Sequence, residues 1–361
     1  MASPTCYAFV GTYTNGRREG IFVFRFDAER GTAQSLGATE GLSNPSFLAI
    51  HPSRRFLYAV SEVGDFGGKP AGAVSAFAIE AQTGTLRMLN QQSSVGSGPC
   101  HLSVDATGRW VLVANYGSGS VAVLPINADG SLAEASDFVQ HHGASVNPQR
   151  QEGPHAHSVI LDPANRFAFV ADLGLDRVMI YRFDAERGKL TPNEPAFAPV
   201  KPGAGPRHFT FHPGGRFAYV INELDNTVTA FAYDAECGAL RALQTISTLP
   251  EGYAQTSYGA DVHIAPAGRF LYGSNRGHDS IAIFAIADDG RLSPRGQAPT
   301  HGRWPRNFAL DPTGRFMWIA NQESNAVTLC TVDEATGQLS TRDQFHVPKP
   351  VCVKFVVAGG G

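Results

Sequence analysis

Seven near-equal repeats dominate this chain. Six of them carry a turn ending in an Arg-aromatic pair and then a short β-rich run: Arg55-Phe56, Arg109-Trp110, Arg166-Phe167, Arg216-Phe217, Arg269-Phe270 and Arg315-Phe316. The runs read FLYAVSE (56–62), WVLVANY (110–116), FAFVADL (167–173), FAYVINE (217–223), FLYGSNR (270–276) and FMWIANQ (316–322). A seventh run, YAFVGTY (7–13), opens the chain without its turn. The seven anchors, from Tyr7 to Phe316, stand 49, 54, 57, 50, 53 and 46 residues apart. A period of this length is the signature of a repeat architecture in which each unit needs its neighbours to bury its faces.

Within one repeat the pattern is that of antiparallel strands. In the fourth, HSVILD (157–162), FAFVADL and RVMIYRFD (177–184) each alternate, and KLTPNEPAF (189–197) ends in a weak fourth strand. The first two are joined by Asp162-Pro163-Ala164-Asn165, a tight-reversal sequence. Sister turns are HPSR (51–54), DATG (105–108), HPGG (212–215), APAG (265–268) and DPTG (311–314). DAERG (184–188), DAECG (234–238), ADDG (287–290) and DEATG (333–337) separate the third and fourth strands. Four antiparallel strands per repeat make a propeller blade. The expected fold is therefore all-β: one seven-bladed β-propeller domain over 1–361. The first repeat lacks its inner strand and HVPKPVCVKFV (346–356) has no blade of its own. The C-terminal strand is thus expected in the first blade, closing the ring and protecting its edges.

Bulk properties narrow the function. With 29 basic and 32 acidic residues the net charge is −3, and no run of like charge occurs. No nucleic-acid partner is expected. No window supplies the ~18 apolar residues of a membrane helix, so no membrane partner is expected either. The N-terminus lacks the basic start and apolar stretch of a signal peptide. Five scattered cysteines without metal-type spacing fit free thiols in a reducing compartment, and a cytoplasmic protein is expected. Oligomeric state leaves no signal in the sequence.

Geometry places the informative residues. The turn joining the first two strands of each blade lies at one rim, so the start of the first strand and the end of the second meet at the other. The slots opening the first strand hold Ser46, Cys100-His101, His155 and His157, Arg207-His208, Asp261 and His263, and Arg306-Asn307. Those closing the second hold Thr12-Tyr13, Ser61-Glu62, Asn115-Tyr116, Asp172, Asn222-Glu223, Asn275-Arg276 and Asn321-Gln322. This mouth gathers His, Arg and Glu, most of them in the fourth to sixth blades. Loops 64–72, 141–156 and 249–259 open on the same face and are expected to wall in a small ligand.

At GPHAHSV (153–159), GPRHFTFHPGGRFAYVINEL (205–224) and GRFLYGSNRGHDSIAIF (268–284) the chain resembles the seven-bladed lactonase family, which includes propeller-type 6-phosphogluconolactonases and a fungal carboxymuconate cyclase. The likeness runs from FVGTYTNG (9–16) to the last blade. It implies a cytoplasmic lactone hydrolase without metal or other cofactor, acting on a sugar-phosphate lactone. Its site residues would be His155 or His157, Arg207, Glu223 and Arg276.

Those residue types suit the chemistry. His157, His155 or Glu223 would take a proton from water. Arg207 and Arg276 would hold a phosphate and polarise the lactone carbonyl. His208, Asn222 and Asn275 would orient these partners. Bland roles compete: Glu223 as the centre of a rim ion network; His101, His208 and His263 as hydrogen-bonded packing; His51 and His212 as turn residues; His141 and His142 as solvated loop residues. Zinc at His155 and His157 lacks a third ligand, and the Arg-aromatic anchors read as structural. A muconate-lactone cycloisomerase needs the same cationic pocket. A protein-docking propeller would instead show a repeat-uniform mouth.

Overall fold

In the computed structural model, which describes residues 6–357, 28 strands form seven four-stranded antiparallel sheets arranged as the blades of a propeller. Blade 1 contains β1 (Cys6–Thr12), β2 (Glu19–Asp27) and β3 (Thr32–Glu40), with the C-terminal β28 (Pro350–Val357) as its innermost strand. Blade 2 is β4–β7 (48–93) and blade 3 is β8–β11 (99–140). Blade 4 is β12–β15 (156–199), blade 5 β16–β19 (206–247), blade 6 β20–β23 (258–299) and blade 7 β24–β27 (305–346). The ring is closed as the sequence implies: Tyr7 pairs with Val356 and Phe9 with Lys354. One expectation needs correcting. The fourth strand of blade 4 is the longest in the described residues (Lys189–Pro199), with a register shift opposite Met179–Tyr181 that lets it bend. No helix of the described residues is long and apolar enough to cross a membrane.

The Arg-aromatic anchor explains how the blades stay together. At the start of each second strand the aromatic ring lies over the glycine that ends the outer turn of the next blade. The pairs are Tyr7 with Gly84, Phe56 with Gly130, Trp110 with Gly188, Phe167 with Gly238, Phe217 with Gly290, Phe270 with Gly337 and Phe316 with Gly31. The last pair joins blade 7 to blade 1. At Gly188 the left-handed backbone (φ 62°) and the ring both demand glycine, since a Cβ would fall 2.2 Å from Trp110. The preceding arginines reach the same turns. Arg109 donates to the Ala185 carbonyl, Arg166 to Ala235, Arg216 to Asp288, Arg269 to Glu334 and Arg315 to Ala28. Buried Tyr58, Tyr219 and Tyr272 donate to the carbonyls of Gly130, Gly290 and Gly337. His51 and His212, in the inner turns as expected, bridge to Gly108 and Gly268.

Candidate active site

The opposite rim departs from this uniformity through a backbone device. In six blades the inner strand has a bulge where it opens, so one or two of its residues have no partner on the neighbouring strand. A bulge re-aims the side chain it carries. The bulged residues are Val351, Cys100, His157, Arg207, Ala260 with Asp261, and Arg306. A second slot directly follows Thr12, Ser61, Asn115, Asp172, Asn222, Asn275 and Asn321 and holds Tyr13, Glu62, Tyr116, Leu173, Glu223, Arg276 and Gln322.

These two slots build most of a cavity of about 320 Å³. Its wall contains Cys100, His157 and Arg306 from the bulges and Glu62, Tyr116, Glu223 and Arg276 from the second slot. Arg150, Tyr258 and Trp304 complete it. Trp304 holds a positive φ of 65°, costly for so bulky a residue, and its N–H is fixed by Asp279 at 2.8 Å. The volume sits at the lower end of ligand pockets, roughly 300–1,000 Å³, and suits a monosaccharide-sized ligand.

Glu223 is the hub. Its Oε2 receives Arg207 Nε at 3.0 Å and Arg276 at 2.8 Å, and its Oε1 receives Arg150 at 2.6 Å. Burial by itself would raise its pKa, but Arg276, Arg207 and Arg150 outweigh burial and hold the carboxyl well below the usual carboxylate range. The network reading weighed for Glu223 therefore describes its contacts, and a carboxylate held this way is a poor base. Arg207 is only 1% exposed. It lies behind Glu223, donates also to the Ala260 carbonyl at 2.6 Å, and is absent from the cavity wall. Burial, then repulsion from Arg276 and Arg306, pushes its pKa down to about 9, so it remains charged at neutral pH. Arg276 donates to the Gly259 carbonyl and packs against Tyr258 and Trp304, while its buried Nε has no acceptor.

The two candidate histidines separate. His157 lines the cavity, 4% exposed, with Nδ1 3.7 Å from Cys100 Sγ. Burial, reinforced by Arg207, His208 and Arg306, drives its pKa well below 6.5, so the ring is neutral at physiological pH. His155 stacks on Tyr116 at 4.4 Å, bonds the Tyr116 carbonyl through Nδ1, and stands outside the wall. Below His157, His208 donates from Nδ1 to Asp261 at 2.6 Å, and His263 meets the other oxygen of Asp261 at 2.9 Å. Burial and Arg207 push the His208 pKa down to about 4. His101 packs between Phe47 and His208 in the same layer.

Other expectations change on geometry. Asn222 and Asn275, read as orienting residues, are wholly buried and turn into their sheets, toward Thr227 and Thr229 and toward Thr248 and Ser280. Asn115 and Asn321 do the same in their blades, so this position is a structural rung. His141 is not the solvated loop residue expected. It is 3% exposed and donates to Asp172 at 2.5 Å, because Asp172 caps the neighbouring loop backbone and needs a second donor. Of the three loops, 141–156 delivers Arg150 and 249–259 delivers Tyr258. Loop 64–72 instead borders a separate groove beside Gln92 and Glu134.

Residues 7–355 match the family described as Lactonase, 7-bladed beta-propeller. The chain belongs to the seven-bladed β-propeller lactonase family. Among this lactonase's relatives, a 6-phosphogluconolactonase of Bacillus subtilis is 38% identical over 350 residues, 96% of this chain and 97% of that protein. A 6-phosphogluconolactonase of Formosa agariphila is 36% identical, covering 93% and 95%. The solved periplasmic gluconolactonase of Pseudomonas aeruginosa superposes with a TM-score of 0.92 at 36% identity, covering 98% of this chain and all of that one.

Of the ten residues in the cavity wall of this lactonase, the sequence reading gave a role to three, His157, Glu223 and Arg276. Cys100, Glu62, Tyr116 and Arg306 stood in the right slots but received no role. The signal was present for Arg306, which occupies the same bulge as Arg207. Nothing in the sequence singles out Arg150, Tyr258 or Trp304.

Proposed function

We propose that this chain hydrolyses a sugar lactone, foremost 6-phospho-D-glucono-1,5-lactone, at the asymmetric mouth of the propeller. The observation that carries this reading is the wall itself: a monosaccharide-sized cavity bearing a neutral histidine and cationic arginines organised around one carboxylate. The relatives' lactonase names favour hydrolysis over the cycloisomerase and docking readings. Water adds to the ring carbonyl and gives up a proton, the carbonyl oxygen becomes an oxyanion, and as the C=O bond re-forms the ring C–O bond breaks and the departing ring oxygen takes up that proton. The product is an open-chain carboxylate.

His157, neutral and facing the cavity, accepts the proton from the attacking water. Its proton affinity rises as the adjacent oxyanion forms. Arg276, which stands in the cavity wall, supplies the oxyanion donor. Glu223 and Arg207 act as positioning residues that fix the plane of Arg276, and His208, clamped by Asp261, fixes His157. His155 sets Tyr116 by stacking. An aldonolactone ring is already reactive, so these groups need supply only part of the barrier reduction. The free thiols support a cytoplasmic site of action, checked by fractionating the source cells. The deciding experiment is base uptake at constant pH with fresh 6-phosphogluconolactone. Acceleration over spontaneous opening, with 6-phosphogluconate as product, is expected; a rate equal to the spontaneous one would remove the proposal.

A further inference from the structure

The arginines of the mouth differ in what already occupies them. Arg207 bonds Glu223 and the Ala260 carbonyl, Arg276 bonds Glu223 and the Gly259 carbonyl, and Arg150 bonds Glu223. Arg306 is half-buried in the cavity wall yet makes no hydrogen bond or ion pair to any described residue. Its guanidinium carbon lies 5.4 Å from the centre of the Tyr13 ring, and Glu62 and Glu223 act on it through their charge alone. Glu62 lines the cavity nearby, but its carboxylate is taken by the hydroxyls of Tyr13 (2.9 Å) and Ser46 (2.5 Å). A guanidinium has five N–H donors, and withdrawing them from bulk water without an acceptor is unfavourable. The bulge aims this fork into the cavity, and Tyr13 supports its face.

Charge count gives the chemical class of the missing acceptor. In the cavity wall Arg150, Arg276 and Arg306 contribute three positive charges, and Glu62 and Glu223 two negative, leaving one positive. A phosphate monoester carries about −1.5 to −2 at pH 7, whereas a neutral lactone carries none. We infer that Arg306 is the subsite for the phosphoryl group of the substrate, gripping it through its free fork and so setting the preference for phosphorylated lactones. The inference rests on the proposed hydrolysis and assigns the phosphate to blade 7, leaving Arg276 for the carbonyl. Two parallel N–H···O bonds to a phosphate are what a guanidinium makes and an ammonium does not.

The test compares wild type, Arg306→Gln and Arg306→Lys on 6-phosphogluconolactone and on glucono-1,5-lactone. For Arg306→Gln the KM for the phosphorylated lactone should rise about 10- to 100-fold, the scale of a lost charge-assisted pair, with kcat little changed. Its KM for the unphosphorylated lactone should not move, and Arg306→Lys should recover part of the loss. Equal KM changes on both lactones, or none, would overturn the assignment. Calorimetry with 6-phosphogluconate and gluconate gives a readout independent of turnover. Wild type should bind the phosphorylated acid more tightly and Arg306→Gln should lose that preference; equal binding of both acids by wild type would overturn the assignment and point to a carboxylate subsite. If 6-phosphogluconate binds through Arg306 while no lactone is hydrolysed, the proposed reaction falls and the subsite stands.

Discussion

At the rim that carries the inner turns, every blade makes the same contact with the next: an aromatic ring over a glycine, with an arginine bonded to a turn carbonyl in five of the seven. At the mouth, the equivalent slot changes from blade to blade, from Cys100 to His157 to Arg207 to Arg306. The backbone is almost as regular there, since six inner strands share the bulge. The difference teaches where selection for packing ends. A ring closes only if all its joints fit, so the joints repeat. A single site binding an asymmetric molecule needs its groups different, so the slots diverge on a common scaffold. Even the mouth has a repeating layer: Asn115, Asn222, Asn275 and Asn321 tie strand ends together one residue before the divergent slot.

Four experiments bear on this contrast, taken from the largest expected effect downward. Truncation before Val351 removes the inner strand of blade 1, exposes strand edges and should abolish soluble, cooperative folding. A truncated protein that stays soluble and melts in one transition would show that the joints close without the clasp. At the mouth, Arg276→Ala should lower kcat/KM by about 10²–10³-fold, as for loss of one oxyanion donor, with a nearly unchanged Tm. Arg207→Ala should lose activity and also up to about 3–5 kcal/mol of stability, because it undercuts a buried carboxylate. Denaturant melts beside kinetics separate the two arginines.

At the turn rim the signature reverses. Gly188→Ala should cost more than about 1 kcal/mol through its left-handed backbone and the ring above it, and Tyr219→Phe about 1 kcal/mol for one buried hydrogen bond. Activity per folded molecule should survive in both. A loss of turnover without loss of stability in either would break the division between the rims.

The smallest effect is one of pH. Burial makes His101, His157 and His208 harder to protonate in the fold than in the unfolded chain. Below about pH 6.5 the unfolded chain therefore binds more protons, and stability should decline as pH falls toward 4, the folded value of His208. Glu223 and Asp261, both held low, add the same trend once the pH enters the ordinary carboxylate range. The acid limb of kcat/KM should likewise lie below 6.5, because His157 stays neutral there. A limb at or above 6.5 would remove His157 as the proton acceptor. Tm and kcat/KM measured across pH 4–8 test both.

The sequence by itself determined the wheel, its seven sectors, the closing strand and the rim on which chemistry collects. Period and alternation encode these locally, and antiparallel pairing converts them into position without knowledge of any distant contact. It also assigned the Arg-aromatic anchors to structure, since only a structural residue must recur in every blade. Tertiary structure alone decided which members of the mouth face the cavity. Arg207 and Arg306 occupy the same slot of their blades, yet one is buried behind Glu223 and the other stands free in the wall. His155 and His157 are two residues apart, yet only one reaches the cavity. Arg150 arrives from a loop more than seventy positions before the carboxylate it bonds. Such distinctions depend on bulges, on burial and on partners from other blades, and these exist only once the ring is closed.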